Sequence, residues 1–357
     1  MERRGLRQRL EGFAYEVPGI VFCMVIALAS FLIWNAYRPI SALMWSFIIG
    51  IVVSNLFDLP EGLGSGVGFC SSQLLKTTIS ILGLVTSATV WLEVGVGFIN
   101  ALVIITFSFF ASIIIGRRLG LSTRLSILIG VGTSICGASA IAATAPAIEA
   151  KEEEIGLAIS GITLFGLISM FLYPYLFSNT VVNQLLLNNP TVYAVWVGSG
   201  VHETAQVIAA ACTLSNDCLQ PALVIKSIRI FMIGPVVLAS TFLVNRLESG
   251  GGQLKPRLVM PLFAVLFVVN SVISAALDSY APALPFLDFM WTFLKQSLKA
   301  SLIPFLLAIS FAGVGSKVRF VDIAKLGMKP FAFAALMAVL AGVLALGMAI
   351  LIAPYIA

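Results

Sequence analysis

Two clusters of polar residues interrupt otherwise apolar stretches of this sequence. The first, Gly130–Ser139, holds three glycines and three hydroxyl side chains within ten residues. The second runs from Gly198 to Gln206 and contains the only histidine of the chain, His202, followed by Glu203. Ionisable groups inside an apolar stretch are costly and usually face a cavity or a partner. The types and spacing of these residues therefore indicate a polar binding site.

The first cluster has the composition of an interrupted helix that binds an anion. Glycine lowers helix stability, and small residues let other backbones approach. A helix broken here exposes free amide N–H groups at the start of its second half, where the helix dipole favours negative charge. The predicted substrate-binding residues are Thr133, Ser134, Cys136, Gly137, Ser139, Ser199 and Gly200.

The second cluster contains residues that can carry or bind an ion. His202, Glu203 and Gln206 lie within little more than one helical turn, and histidine changes charge near neutral pH. We predict that these residues bind H+ or Na+ and couple this ion to the transport of a solute. A structural pair between His202 and Glu203 is the alternative interpretation.

Three basic residues lie inside apparent apolar spans, namely Lys76, Lys226 and Arg229. Each could bind an anion, and each could instead extend its charged end to a membrane interface. Lys76 and Arg229 are the predicted anion contacts.

The composition excludes a soluble protein. Of the 357 residues, 59% are hydrophobic and 10% are charged, and the mean hydropathy is +1.05. Soluble domains carry about 25% charged residues, so a lipid bilayer must be the solvent of this chain. The net charge of +5 reflects basic loops between helices, and no nucleic-acid partner is predicted.

We predict an all-α polytopic membrane protein with about eleven transmembrane helices, because a lipid-exposed backbone must satisfy its own hydrogen bonds. Residues 1–16 are predicted to be a basic cytoplasmic segment, and residues 17–357 a single transmembrane transporter domain. The predicted spans are 17–36, 40–57, 66–89, 95–116, 124–149, 154–177, 190–212, 220–244, 258–277, 295–315 and 330–355.

The basic residues predict a cytoplasmic N-terminus and a C-terminus outside. In this topology the outer loops hold only Arg38 and Lys151, as the positive-inside rule requires. The residues predicted to lie inside are Arg3, Arg4, Arg7, Arg9, Arg117, Arg118, Arg124, Arg246, Lys255, Arg257, Lys317, Arg319, Lys325 and Lys329. Four tryptophans fall at outer helix ends, where indole rings favour the interface: Trp34, Trp45, Trp91 and Trp291.

The two polar clusters occupy the fifth and seventh predicted spans. Paired interrupted helices that meet near the bilayer midplane are typical of inverted-repeat transporters. In the predicted topology both spans run from inside to outside, so they cannot be mates in an inverted repeat. Parity instead assigns the repeats to residues 40–177 and 190–355.

Two of the five cysteines, Cys212 and Cys218, fall in one predicted outer loop. A disulfide closing this short loop is one interpretation if that face is periplasmic. Two unpaired thiols near a helix end are the other.

Several motifs resemble the bacterial YeiH-type family, whose members carry the name sulfate exporter. The most specific match is Gly132-Thr-Ser-Ile-Cys-Gly-Ala-Ser-Ala-Ile-Ala-Ala-Thr-Ala-Pro146, which continues to Ala150-Lys-Glu-Glu-Glu154. Further matches are Thr163-Leu-Phe-Gly166, Met170-Phe-Leu-Tyr-Pro174 and His202-Glu-Thr-Ala-Gln-Val207. The family usually has Asp after this histidine, whereas Glu203 keeps the charge on a longer arm. The resemblance spans nearly the whole chain.

The resemblance implies a bacterial inner-membrane transporter of a sulfate-like or sulfonate-like anion. The family is similar to the superfamily of bile-acid symporters and cation/proton antiporters. Those proteins have inverted five-helix repeats with crossed broken helices, and a core that moves against a scaffold. By the same analogy a homodimer is expected.

Three functions compete for this sequence. The favoured one is a secondary anion transporter that works by alternating access. The alternative is a cation/proton antiporter that uses Glu203 and His202, although such proteins usually need an intramembrane aspartate. An intramembrane enzyme with Cys136 or Ser134 as nucleophile ranks third, because a single histidine argues against a zinc site. No cofactor or metal is predicted.

Overall fold

The structure is a computed structural model that describes residues 2–37, 40–86, 88–248, 261–324 and 327–356. These residues form nineteen α-helices, and no β-strand occurs among them. The all-α prediction is confirmed. Arg38, Lys255, Arg257 and Lys325, which entered the predicted charge distribution, lie outside the described residues.

The helices are numbered in chain order. They are α1 Glu2–Ala36, α2 Ala42–Leu56, α3 Glu61–Phe69, α4 Leu75–Leu82, α5 Ala88–Glu93, α6 Gly97–Arg118, α7 Thr123–Ser134, α8 Ala138–Thr144, α9 Glu152–Asn179, α10 Val182–Leu185, α11 Pro190–Gly200, α12 Thr204–Leu214, α13 Leu219–Phe231, α14 Ile233–Leu247, α15 Leu262–Tyr280, α16 Pro285–Ser297, α17 Ile303–Ser316, α18 Phe320–Ala324 and α19 Met328–Ile352. A π-helical turn, Cys70–Leu74, joins α3 to α4, and another, Leu298–Leu302, joins α16 to α17.

Eight helical stretches of the described chain are long and apolar enough to cross a membrane. They are Tyr15–Ala36, Glu61–Val85, Gly97–Arg118, Glu152–Asn179, Leu219–Leu247, Leu262–Ala283, Pro285–Ser316 and Met328–Tyr355. Three apolar stretches are shorter, namely Ala42–Leu56, Ala138–Ala147 and Thr204–Leu214. A multi-pass membrane protein is therefore confirmed, whereas the predicted number of about eleven spans is not.

The chain divides into two compact units. The first comprises Met1–Ala88 and Phe263–Phe320, and the second comprises Thr89–Leu262 and Val321–Ala357. The assignment of repeats to residues 40–177 and 190–355 stays a prediction.

Small residues bring helices of the first unit into close contact. Gly19 of α1 lies against Gly66 of α3, where a Cβ on Gly19 would come within 2.7 Å of the Gly66 Cα. Gly50 of α2 approaches Gly315 of α17 in the same way, at 3.2 Å. Such close backbone approach replaces the hydrophobic driving force that helices in a bilayer lack.

In the second unit, α7 and α8 form a hairpin. After Ser134 the chain turns at Gly137, whose φ of +68° is a backbone conformation that favours glycine. Ile141 of α8 then folds back on Gly132 of α7, where a Cβ would lie 2.9 Å from the Ile141 Cδ1. A continuous helix would separate these two residues by about 14 Å. We call Thr123–Ala147 hairpin 1.

A second hairpin is formed by α11 and α12. The Tyr193 hydroxyl donates a hydrogen bond of 2.9 Å to the carbonyl of Ala210, although a continuous helix would separate these residues by about 25 Å. The chain reverses where Val201 and Glu203 have extended backbones. We call Pro190–Leu214 hairpin 2.

Helix α9 shows that the two hairpins point towards each other. Ser122, the N-cap of α7, hydrogen-bonds to the Glu154 carboxylate in the first turn of α9. Near the other end of α9, Phe177 packs on Tyr193 of hairpin 2, with ring centroids 4.7 Å apart. Hairpin 1 therefore starts beside the first turn of α9, and hairpin 2 starts beside its last turns.

These contacts correct two predicted spans. Segments 124–149 and 190–212 were each expected to cross the membrane, but each returns to the end of α9 beside which it starts. The chain turns at Gly137 and at Val201–Glu203, and these turns convert the predicted crossings into hairpins. Hydropathy and segment length, on which the prediction rested, contain no information about such turns. Without the predicted crossings of 124–149 and 190–212, α9 runs in the direction opposite to the predicted one. The predicted directions of α6 and α13–α14 are unchanged, because one crossing is lost on each side of α9. Lys151 consequently moves to the side of Arg124.

Cysteine labelling tests this arrangement. In a variant without the five native cysteines, Arg118→Cys and Glu152→Cys should react with a membrane-impermeant maleimide from one side of the membrane. Gln184→Cys and Asp217→Cys should react from the other side, because α9 separates the two pairs. All four positions are exposed. Labelling of positions 118 and 152 from opposite sides would contradict hairpin 1.

Candidate functional site

Four helix ends of the second unit meet where the turns of the two hairpins face each other. These are the C-terminal ends of α7 and α11 and the N-terminal ends of α8 and α12. Helices α9 and α13 add side chains between them. We define the hairpin junction as residues Thr133–Ser139, Gly198–Gln206, Thr163, Lys226 and Arg229.

Arg229 of α13 binds the C-terminal ends of α7 and α11 simultaneously. Its side chain is fully buried. Nε donates to the Ser134 carbonyl at 2.9 Å and Nη2 donates to the Thr133 carbonyl at 2.6 Å. Nη1 lies 3.0, 2.5 and 3.1 Å from the carbonyl oxygens of Gly198, Ser199 and Val201. The planar guanidinium group can span both hairpins because its donors point in fixed, different directions.

Lys226 lies one helical turn before Arg229 and is also fully buried. Its Nζ donates to the carbonyl of Val201 at 2.9 Å and to that of His202. The two basic residues of α13 therefore share the carbonyl groups of the hairpin 2 turn.

These two cations satisfy helix ends that water does not reach. The last carbonyl groups of a helix have no partner within it and carry the negative end of its dipole. Each one left unpaired in the interior would cost about 1–3 kcal/mol. Arg229 was expected to contact an anion, but the structure directs its N–H groups to backbone carbonyls.

Glu203 connects the other two helix ends. It is the N-cap residue of α12, and its carboxylate accepts hydrogen bonds from Thr163 Oγ1 at 3.2 Å and from the Ala138 backbone N–H of α8. Its Cγ lies so close to Gly137 that a Cβ there would collide with it. A carboxylate at this place meets the positive ends of both helices. Glu203 is partly exposed, unlike the two cations.

Gln206 fixes Glu203 relative to α9. Its Oε1 accepts a hydrogen bond from the Glu203 backbone N–H at 3.1 Å, and its Nε2 donates to the Thr163 carbonyl at 3.2 Å. The amide packs directly on Gly166, where a Cβ would collide with it. Hairpin 2, hairpin 1 and α9 are thus tied together through Glu203 and Gln206.

Three buried side chains at the junction lack hydrogen-bond partners among the described residues. They are Thr133 through Oγ1, Ser199 through Oγ and His202 through both ring nitrogens. All three residues are fully buried. Most buried polar atoms in proteins have a partner, so these four atoms are candidates for hydrogen bonds to a bound polar molecule.

The remaining residues of the first cluster have smaller roles. Ser134 directs its hydroxyl to the Val131 carbonyl of its own helix, at 3.3 Å. Cys136 Sγ lies 2.9 Å from the Ser139 Oγ, and Ser139 is exposed. Both contacts are internal to hairpin 1.

The structure brings the two sequence clusters together at the junction, and two of the predicted site residues have other surroundings. Lys76, a predicted anion contact, is an exposed residue of α4 in the first unit. Gly200 serves packing, because a Cβ there would lie 2.8 Å from the ring of Tyr173, which stacks on Trp196 at 4.2 Å.

The sequence did not identify three contacts of the site. Lys226 donates to the turn of hairpin 2, Thr163 donates to Glu203, and Tyr173 packs on Gly200. A lysine inside an apolar span was a usable signal for Lys226, because such residues pair with backbone carbonyls or with each other. Thr163 and Tyr173 carry no such signal, since hydroxyl residues are common in membrane helices.

Cys212 and Cys218, for which a disulfide was one interpretation, are free thiols in the structure. Burial and the neighbouring Asp217 carboxylate raise the pKa of Cys218 to about 12. The thiolate is the reactive form of cysteine, and the raised pKa disfavours this form.

Comparison with known proteins finds relatives that match nearly the whole chain. A protein-family model described as Conserved hypothetical protein 698 matches residues 18–334. A UPF0324 membrane protein of Pseudomonas aeruginosa is 32% identical over 334 residues, which cover 90% of each chain. One of Agrobacterium fabrum is 32% identical over 94% of this chain and 93% of its own. The UPF0324 inner membrane protein YeiH of Escherichia coli K12 is 28% identical over 89% of each chain. These matches confirm the YeiH-type resemblance.

Replacing Arg229 by lysine should destabilise the protein although the charge is kept. A single ammonium group cannot reach both hairpins, so several buried carbonyls lose their donor, at a cost of about 2–4 kcal/mol. Thermal unfolding in detergent measures the loss. Arg124→Lys is the matched control, because Arg124 forms a partly exposed ion pair with Glu248 at 3.2 Å that contributes about 0–1 kcal/mol. Equal melting temperatures of the two variants would contradict the role of Arg229.

Replacing Gly137 by alanine should also destabilise the protein, because the new Cβ meets both a positive φ and the Glu203 side chain. We expect a loss of about 1–3 kcal/mol, measured by the same unfolding experiment. Gly156→Ala is the control, since no atom of the described residues lies within 4 Å of its new Cβ, and alanine favours helix by up to about 1 kcal/mol. A Gly137→Ala variant as stable as the parent protein would show that the turn tolerates a side chain.

Proposed function

This chain belongs to the UPF0324 family of membrane proteins, and we propose that it is a secondary transporter that moves a small anion, of the sulfate or sulfonate class, across the cell membrane. The observation that carries the proposal is the group of unpartnered polar atoms at the hairpin junction, on Thr133, Ser199 and His202. Two hydroxyl groups and an imidazole can donate hydrogen bonds to the oxygens of an anion. They lie on both hairpins, so one bound molecule would contact both.

The charges of the junction favour an anion over a cation. Arg229 and Lys226 are fully buried, whereas the carboxylate of Glu203 is the one acidic group of the junction. Buried charges are stable only when they are paired. A bound anion would offset the excess positive charge, and an additional metal cation would increase it.

The arrangement of the hairpins supports alternating access. Each hairpin starts at a different end of α9, and their turns meet between these ends. Movement of hairpin 1 would therefore open the junction towards one side of the membrane, and movement of hairpin 2 towards the other. Interrupted helices that meet at the midplane serve this purpose in secondary transporters.

We further propose that the base of hairpin 1 faces the cytoplasm. Arg117, Arg118, Arg124, Lys151 and Arg246 lie at this end of the second unit, and basic loops are retained on the cytoplasmic side. With this orientation α19 ends outside, in agreement with the predicted side of the C-terminus.

A thermal-shift experiment on detergent-purified protein tests the function. Sulfate, sulfite, small sulfonates and small carboxylates should be compared with and without Na+ and from acidic to neutral pH. A ligand that binds only the folded state raises the melting temperature, with a stabilisation of about 2.7 kcal/mol at 100 times its dissociation constant. We expect this effect from at least one anion.

Variants localise the response. Thr133→Val and Ser199→Ala should abolish the anion effect while preserving the melting temperature without anion, because neither hydroxyl has a partner in the described part of the protein. Thr144→Val is the control for Thr133→Val, because its hydroxyl donates to the Ala140 carbonyl at 2.8 Å away from the junction. Stabilisation by Na+ or protons alone, without any anion effect, would favour the cation/proton antiporter instead.

A further inference from the structure

The carbonyl groups at the hairpin junction are already occupied by cationic side chains. In transporters with interrupted helices, unwound carbonyls and the C-terminal ends of half-helices coordinate Na+. Here the carbonyls of Thr133, Ser134 and Ser199 accept hydrogen bonds from Arg229. Those of Val201 and His202 accept from Lys226. A metal ion would have to displace these donors and lie beside two buried positive charges.

Glu203 differs from the other ionisable groups of the junction in two respects. It is partly exposed, whereas Arg229, Lys226 and His202 are fully buried. Its carboxylate also joins separate elements, because it accepts hydrogen bonds from Thr163 of α9 and from Ala138 of hairpin 1. Of these groups Glu203 is therefore the one that is not fully enclosed and whose charge joins separate elements.

We propose that the coupling ion is a proton carried by Glu203, and that Arg229 and Lys226 hold the place that a metal cation would take. The proposal deepens the proposed transport function and rests on it. Charged Glu203 acts as a latch between hairpin 1, hairpin 2 and α9. A proton added to one carboxylate oxygen removes the negative charge, and hydrogen bonds to a neutral acceptor are weaker than those to an ion. The latch then opens.

The same step couples the proton to the anion. When Glu203 is neutral, the charges of Arg229 and Lys226 are left without a negative partner at the junction. A bound anion supplies this partner, so the proton favours the anion and the anion favours the proton by an equal factor. The two are expected to bind together.

The titratable groups around Glu203 support the assignment of the proton to its carboxylate. Helix α13 presents Lys226 and Arg229, and Lys226 acts on the carboxylate electrostatically. Hairpin 2 contributes His202 and Gln206, and hairpin 1 contributes the Cys136 thiol. His202 is fully buried, and the Lys226 ammonium group contacts its carbonyl, so a further positive charge on its ring is disfavoured. His202 is therefore assigned to solute binding as a neutral imidazole.

A first experiment tests the latch without any solute. Cys136 lies in the turn of hairpin 1 and is almost fully buried. In protein whose other four cysteines are replaced by alanine, its alkylation by N-ethylmaleimide is compared between variants at one neutral pH. Glu203→Gln, which mimics the protonated acid, should react about 10-fold faster than the parent. Glu203→Asp should restore slow alkylation at least in part. Glu153→Gln, at an exposed position of α9, is the matched control and should leave the rate unchanged.

A second experiment counts protons. Sulfate binding is measured by calorimetry in buffers of different ionisation enthalpy, with either Na+ or choline as the cation. The parent protein and Glu153→Gln should take up about one proton per sulfate, Glu203→Gln should take up about none, and Na+ should have no effect.

The outcomes distinguish failure of the proposed proton coupling from failure of the proposed anion transport. Unchanged alkylation in Glu203→Gln would overturn the latch whether or not sulfate binds. Sulfate binding that requires Na+, or proton uptake that persists in Glu203→Gln, would overturn the assignment of the coupling ion while leaving the anion transporter intact. Absence of sulfate binding in all variants, together with faster alkylation in Glu203→Gln, would support the latch and count against sulfate as the solute.

Discussion

Helix ends buried away from water are the constraint on which the second unit depends. A hairpin that enters a membrane protein and returns leaves free carbonyl groups where its first helix ends and free N–H groups where its second begins. In hydrocarbon or in a packed interior, none of these groups finds water. The junction meets the requirement with charges of the appropriate sign. Arg229 and Lys226 lie at the carbonyl ends, and Glu203 lies at the amide ends.

Close packing follows from this arrangement of charges. The Glu203 carboxylate can reach the start of α8 only because Gly137 has no side chain, and Gln206 can reach Thr163 only because Gly166 has none. Arg229 in turn draws the ends of α7 and α11 to within one guanidinium group of each other. The glycines of the two clusters therefore serve the polar contacts as much as helix packing.

The sequence predicted the composition of the junction better than its geometry. Both polar clusters were recognised, because glycines, hydroxyls and a Glu inside apolar segments are rare enough to be informative. The reversal of the chain at Gly137 was missed, since a glycine at positive φ and a glycine that packs against a neighbour look alike in a sequence. Lys226 and Arg229 were noticed as basic residues within spans. Their partners are backbone carbonyls of distant segments, which no local pattern reveals.

The distribution of basic residues explains why the error in topology was not detected from the sequence. Treating both hairpins as crossings adds two spans, so every helix outside residues 124–212 keeps its direction. Only α9 and its flanking loops change sides, and Lys151 is the single basic residue of those loops. An error in one segment would have reversed the remaining loops and violated the positive-inside rule, whereas a paired error leaves the rule almost satisfied.

The unpartnered atoms at the junction connect binding with movement. Thr133, Ser199 and His202 present polar atoms that are fully enclosed in this conformation, and each such atom costs about 1–3 kcal/mol of stability. Under the proposed function, a solute reaches them only after a hairpin has moved, so entry requires a conformation other than this one. Because the hairpins start at opposite ends of α9, the proposed function gives the enclosed form one route of opening towards each end. Under the proposed function, a solute enclosed at the junction supplies hydrogen-bond partners to these atoms. Binding then removes their energetic cost, and this gain stabilises the enclosed form with the solute bound.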